Sequence, residues 1–266
     1  MKKTIFLLVL FLALLPASYA QKMDYDEFDL NNGLHVILHQ DNTAPVVTVS
    51  MMYHVGAKDE EEGKTGMAHF FEHLLFTGTK NIPRGTWNNL VSSRGGSGNA
   101  DTTWDRTYYF QTFPSNQLAL ALWMEAERLK HPVIDQKAVA TQNEVVKEEK
   151  KQRLDNAPYG KILYGITNKH VFDVHNYKRP PIGYIEDLDA ASLEDFEAFK
   201  EKWYMPNNAV LTVAGALNKK EARKLIEKYF ASIPSGKKIE RVSKKEPVQK
   251  AIKRVKEYDA NIQLPA

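Results

Sequence analysis

The sequence predicts an α+β fold, a two-layer sandwich of helices on a largely antiparallel sheet. Three observations predict it. Strand-like and helix-like segments come in runs, not in strict alternation, which is the order expected when helices gather on one face of an antiparallel sheet. The chain has 43% hydrophobic residues, and about 246 of its 266 residues remain after a leader is set aside, enough to bury a substantial core. It contains no cysteine, so that core needs no disulfide framework, and any metal it binds must be held by nitrogen and oxygen.

Residues 1–20 read as an export signal: Lys2 and Lys3, an apolar run from Ile5 to Leu15, then Pro16 and small residues at Ser18 and Ala20. Cleavage near Ala20 would deliver the mature chain to the periplasm or the extracellular space. The apolar run is too short to span a bilayer comfortably and no later segment comes close, so no stable transmembrane segment is expected.

After a turn at Asn32-Gly33, Leu34 to His39 alternates like a half-buried strand, and Val46 to Tyr53 is a second, more buried one. An acidic loop, Asp59 to Gly63, leads into a helix around His69, and another helix covers Thr86 to Ser93. Tyr108 to Phe113 is a strand. Gln117 to Lys130 is a helix with apolar residues at Leu118, Leu122, Ala126 and Leu129. Asp135 caps a long helix running to about Leu154, and Ser192 caps one running to about Trp203. Ala209 to Gly215 is a strand, followed by a helix from about Lys219 to Phe230. The tail after Pro234 is lysine-rich and then strand-like up to Gln263.

With 36 basic and 33 acidic residues, and two of the lysines inside the leader, the mature chain is nearly balanced, which argues against nucleic acid as a partner. Lys237-Lys238 and Lys244-Lys245 are interleaved with Glu240 and Glu246 and read as a solvated face. The glycine-rich stretch Gly95 to Gly98 does not lead from a strand into a helix, so it is no phosphate loop.

The chemistry is concentrated in His69-Phe70-Phe71-Glu72-His73. Residues four apart share a helix face, so His69 and His73 can aim two imidazoles at one point. Glu72 borders that face and can hydrogen-bond a water there without being a ligand. A catalytic zinc site wants three protein ligands and an open position. The third must come from elsewhere, and the long helix offers Glu144, Glu148 and Glu149. Glu149 continues the stripe that Val145 and Val146 would bury, and an acid in an apolar stripe needs a partner. Glu149 is therefore the expected third ligand, with Glu148 as the alternative on a more exposed flank.

The order His-x-x-Glu-His is the inverzincin signature. With Glu149 later in the chain, the sequence resembles the pitrilysin and insulysin family of zinc metallopeptidases, and is similar to the mitochondrial processing peptidase branch and its bacterial relatives. Gly66 to Thr79 matches the family's first block, Gly96 to Thr103 with Asp105, Thr107 and Tyr108 its second, and Val145 to Glu149 its third. Gly183 to Gly215, with Phe199, Tyr204, Pro206 and Asn207-Asn208-Ala209, resembles its last.

The resemblance implies a zinc metalloendopeptidase that cuts peptides or unfolded segments. His69, His73 and Glu149 would hold one zinc ion, with Glu72 as general base on the activated water. Asn99 and Ala100 would lie on a sheet edge that pairs with the substrate backbone. It also implies one half of a pitrilysin-type architecture: a leader at 1–20, an N-terminal metallopeptidase domain at 21–240, and a linker with the start of a missing second half at 241–266. A second homologous half or a partner subunit is the expected partner, and the arginine and tyrosine that help bind substrate in the family would belong to it. Two positions depart from the pattern. Gln142 stands where the family often has a further glutamate, and Gly215-Ala216 where it commonly has Gly-Asp. The alternative function is a non-hydrolytic member that captures strands or supports a partner subunit.

Overall fold

The computed structural model describes residues 23–241 and 244–262; the export-signal reading of residues 1–20 lies outside them. Six strands form one sheet: β1 (Asp26–Asp29), β2 (His35–Gln40), β3 (Val46–Tyr53), β4 (Ser97–Thr102), β5 (Thr107–Pro114) and β6 (Ala209–Gly215). Their order across the sheet is β1-β2-β6-β3-β5-β4. Every neighbouring pair is antiparallel except β2 and β6, which run parallel with Val36 opposite Leu211.

The alternation along each strand explains the layering. Val36 and Leu38 of β2, Tyr109 and Phe113 of β5, and Leu211 and Val213 of β6 point to one face and are buried. Their neighbours Ile37, Tyr108, Phe110, Val210 and Thr212 face the other side and are only partly covered. An antiparallel sheet can leave one face half-open in this way.

The helices are α1 (Met67–Leu74), α2 (Trp87–Ser93), α3 (Leu118–Lys130), α4 (Gln136–Lys150), α5 (Thr167–Val171), α6 (Ile185–Ala190), α7 (Leu193–Trp203) and α8 (Lys219–Phe230). α3 lies against β3 and β5, α1 against β4 and β5, and α8 against β2 and α3. The architecture is thus the helix-on-sheet sandwich that the sequence predicts. α4 starts at Asp135, whose carboxylate accepts the Ala138 N–H at 2.7 Å, and runs on into a π-helical turn, Lys151–Asp155. α7 opens with a reciprocal cap between Ser192 and Asp195.

Three features differ from the sequence reading. The described tail, residues 244–262, contains no strand: Val248, Ile252 and Tyr258 are largely exposed, and no neighbouring strand offers them a ladder. β1 forms although Asp-Glu-Phe-Asp carries no strand signal, because its register with β2 supplies the partner. Val145 is 44% exposed, so the buried stripe of α4 at this level is Val146 alone.

One charged pair lies in the core beneath the site. Glu125 and Arg128 of α3 are both fully buried, joined at 3.0 Å, and Gln111 of β5 donates to the same carboxylate. The guanidinium lies 4.2–4.5 Å from the ring centroids of Phe76, Trp87 and Tyr109.

Candidate metal centre

α1 is fixed along its length before any ligand is considered. Phe70 and Phe71 are buried, Phe70 against Phe196 at 4.7 Å between ring centroids and Phe71 stacked on Tyr204 at 4.8 Å. At the start of the helix, Gly66 (φ +86°) touches Gly183 (φ +75°) so closely that a Cβ on Gly183 would fall 2.4 Å from the Gly66 Cα. Only glycine suits either position. The buried Glu60 carboxylate accepts the N–H groups of Gly66 at 2.8 Å and Ala68 at 2.9 Å, capping the helix from outside its own sequence. Burial pushes that carboxyl up to about 8, against the pull of the two N–H groups. At the far end, the Tyr109 hydroxyl donates to the Phe71 carbonyl and Arg128 to the Leu75 carbonyl, at 2.8 and 3.2 Å.

The core face of α1 thus carries the phenylalanines and leucines, and the flank carries His69, Glu72 and His73. The Nε2 atoms of His69 and His73 are 3.4 Å apart. Glu149 Oε2 reaches the same point from α4, 2.9 Å from His73 Nε2 and 3.6 Å from His69 Nε2. Burial pushes the Glu149 carboxyl up, but hydrogen bonds from the two imidazoles outweigh it and hold the group well below the usual carboxylate range.

These separations test the site for a metal. Zinc bonds of about 2.0–2.1 Å in tetrahedral geometry place neighbouring ligand atoms roughly 3.3 Å apart. Edges of 2.9, 3.4 and 3.6 Å between two nitrogens and one carboxylate oxygen fit such an ion. Among the described residues, His69, His73 and Glu149 are the one group of this kind.

Of the acids on the long helix, Glu149 joins the histidines. Glu148 is exposed and pairs with Gln152 at 2.9 Å, and Glu144 pairs with Lys147 at 3.2 Å. Glu149 follows the buried Val146 by three residues, which brings it inward even though Val145 faces solvent.

Glu72 and His73 form part of the wall of a cleft of about 510 Å³, shared with Phe76, Arg84, Asn99 and Gln142. Asn99 and Ala100 lie on β4, an outer strand of the sheet whose recorded pairing is to β5 alone. Asn99 is exposed and Ala100 partly covered. Sequence reasoning missed Glu60, Arg128 and Arg153. Of these, Arg153 was within reach, since it follows Glu149 by four residues on one helical face and pairs with it at 2.9 Å.

The sheet, the helix carrying His-x-x-Glu-His and the distant glutamate together define the N-terminal half of a pitrilysin-type metallopeptidase. Comparison with known proteins agrees. The family described as "Insulinase (Peptidase family M16)" matches residues 35–179, more than half of the chain, and "Peptidase M16 inactive domain" matches residues 190–265. The chain belongs to the insulinase family, peptidase family M16.

Among its relatives, the zinc protease PqqE of Helicobacter pylori is 33% identical over 217 residues, covering 81% of this chain and 48% of the relative. The crystal structure of a protease from Helicobacter pylori superposes with a TM-score of 0.81 at 32% identity, covering 85% of this chain and 55% of that one. The first half of the periplasmic protease PqqL from Escherichia coli gives 0.76 at 25% identity, covering 85% of this chain and 50% of that one. The chain spans about half the length of most of the curated relatives it matches, and 23% of one, the probable zinc protease PqqL of Escherichia coli. No helix among the described residues is long and apolar enough to cross a membrane.

Proposed function

We propose that this chain is the catalytic half of an exported zinc metalloendopeptidase that hydrolyses peptides or unfolded segments. The observation that carries the reading is the convergence of His69, His73 and Glu149 to within 4.8 Å, with Glu72 on the same helix facing an open cleft. A periplasmic location is supported by the leader-like residues 1–20 and by the relative titled a periplasmic protease.

Bound there, a zinc ion supplies Lewis-acid polarisation of the scissile carbonyl and acidifies the attacking water. The chain's own residues do the rest. His69, His73 and Glu149 would hold the ion with two nitrogens and one oxygen. Glu72 takes the proton of the attacking water on its carboxylate and returns it to the leaving amine. The extended substrate adds as a strand to the β4 edge along Asn99 and Ala100, so backbone hydrogen bonds supply most of the grip. Gln142 lines the cleft where the family often has a glutamate, so that wall carries an uncharged amide in place of a carboxylate. Residues 21–240 form the metallopeptidase domain and 241–266 lead toward a second homologous half, in line with relatives about twice as long.

The test is Glu72→Gln in zinc-loaded mature protein, assayed on an unstructured peptide with and without a candidate second half. Cleavage should fall by about 10²- to 10⁴-fold while zinc content stays at that of the parent. Cleavage that survives the substitution removes Glu72 from the mechanism. A mature chain that carries no zinc points instead to a non-hydrolytic, strand-capturing role.

A further inference from the structure

The two oxygens of Glu149 are used differently. Oε2 faces the histidines, 2.9 Å from His73 Nε2, whereas Oε1 receives the Nη1 of Arg153 at 2.9 Å. Arg153 lies on the π-helical turn that continues α4, and its side chain is 70% exposed while that of Glu149 is 15% exposed. It reaches in from the surface to a mostly covered carboxylate. A carboxylate turning about its last bond could offer a metal either oxygen or both.

We propose that Arg153 is a positioning residue for the metal centre, holding Oε1 so that Glu149 presents Oε2 alone as a single-oxygen ligand. The proposal rests on the metal-site reading above. It also makes an unusual sign prediction. A guanidinium beside a dication site repels the ion, so an arginine that contributed charge alone would weaken binding, and its removal would tighten it. A residue that orients a ligand does the reverse, and losing such support typically weakens metal affinity by about 10- to 100-fold.

The experiment titrates metal-free mature protein with zinc against a chromophoric chelator and records the absorption spectrum of the cobalt-loaded form. For Arg153→Ala we expect zinc affinity to drop by about tenfold, with a changed cobalt spectrum. Arg153→Lys, which keeps a donor and the charge, should lie between Arg153→Ala and the parent. Lys151→Ala removes the same charge from an exposed position on the same turn and should leave affinity within about twofold of the parent. Thermal melting of the metal-free variants checks that each is folded. Unchanged or tighter binding by Arg153→Ala overturns the proposal, as does an equal loss in Lys151→Ala. If the parent itself takes up no zinc, the metal-site reading fails, an outcome distinct from a parent and an Arg153→Ala variant that bind alike.

Discussion

Glu125 and Glu149 are both withdrawn from water, and both reach α1 through a partner, but they are satisfied in opposite ways. Glu125 is wholly buried, and its carboxylate is matched by Arg128 and Gln111, with the guanidinium in turn packed against three aromatic rings. Nothing is left over for a ligand. Glu149 shares one oxygen between two imidazoles whose Nε2 atoms point at the same place, and the cleft beside them is open. A carboxylate matched at both oxygens inside the core builds the fold; one that gives Arg153 its first oxygen and turns the second toward two imidazoles builds a place for a cation.

The sharpest way to break this comparison is to remove one charge from each arrangement. Arg128→Met leaves Glu125 buried and unpaired, and should cost about 3–5 kcal/mol of folding stability by chemical denaturation. Glu149→Gln in metal-free protein should cost less than about 1 kcal/mol, because an amide at a partly open site can still hydrogen-bond to an imidazole. Equal losses would show that the two acids play the same structural part. Zinc added at about one hundred times its Kd should stabilise the parent by about 2.7 kcal/mol and leave Glu149→Gln unmoved in a melting experiment.

The smallest effect is in acid. The folded pKa of Glu149 lies below the ordinary 4.5, so its ionised form contributes stability that is fully present above about pH 5 and is lost as the pH falls through the folded value. Melting curves of metal-free parent and Glu149→Gln should therefore draw together progressively as the pH falls below about 5. A gap that widens in acid would reverse the sign argued here.

Local signals in the sequence were enough for much of this. The spacing of His69 and His73 needs only helical periodicity, and the strands Val46–Tyr53 and Ala209–Gly215 announce themselves by unbroken β-branched and apolar runs. The stripe that points to Glu149 in the sequence has only Val146 buried, yet one inward neighbour at three residues is sufficient to bring its carboxylate beside the histidines. What depends on distant partners was not legible. Glu125 and Arg128 look like an ordinary surface pair three residues apart, and only the rings of Phe76, Trp87 and Tyr109, from other parts of the chain, make them a core pair. Glu60 reads as one member of an acidic loop, yet its position under α1 makes it the cap of the helix that carries the motif. The tail misled because the apolar residues Val248, Ile252 and Tyr258 suggest a strand, whereas a strand also needs a neighbour.

On the proposed strand addition, the outer edge of β4 carries a consequence for turnover. Ser97, Gly98 and Asn99 are exposed and offer little side-chain relief, so a peptide aligned there would be held in proportion to its length. Net backbone hydrogen bonds are worth about 0.5–1.5 kcal/mol each, and a cut in the middle leaves each fragment with about half of them. Losing three such bonds, at about 1 kcal/mol apiece, quickens departure by about two orders of magnitude. Product release would then follow from the cut itself, and peptides too short to lie across both sides of the site would seldom stay long enough to be cleaved.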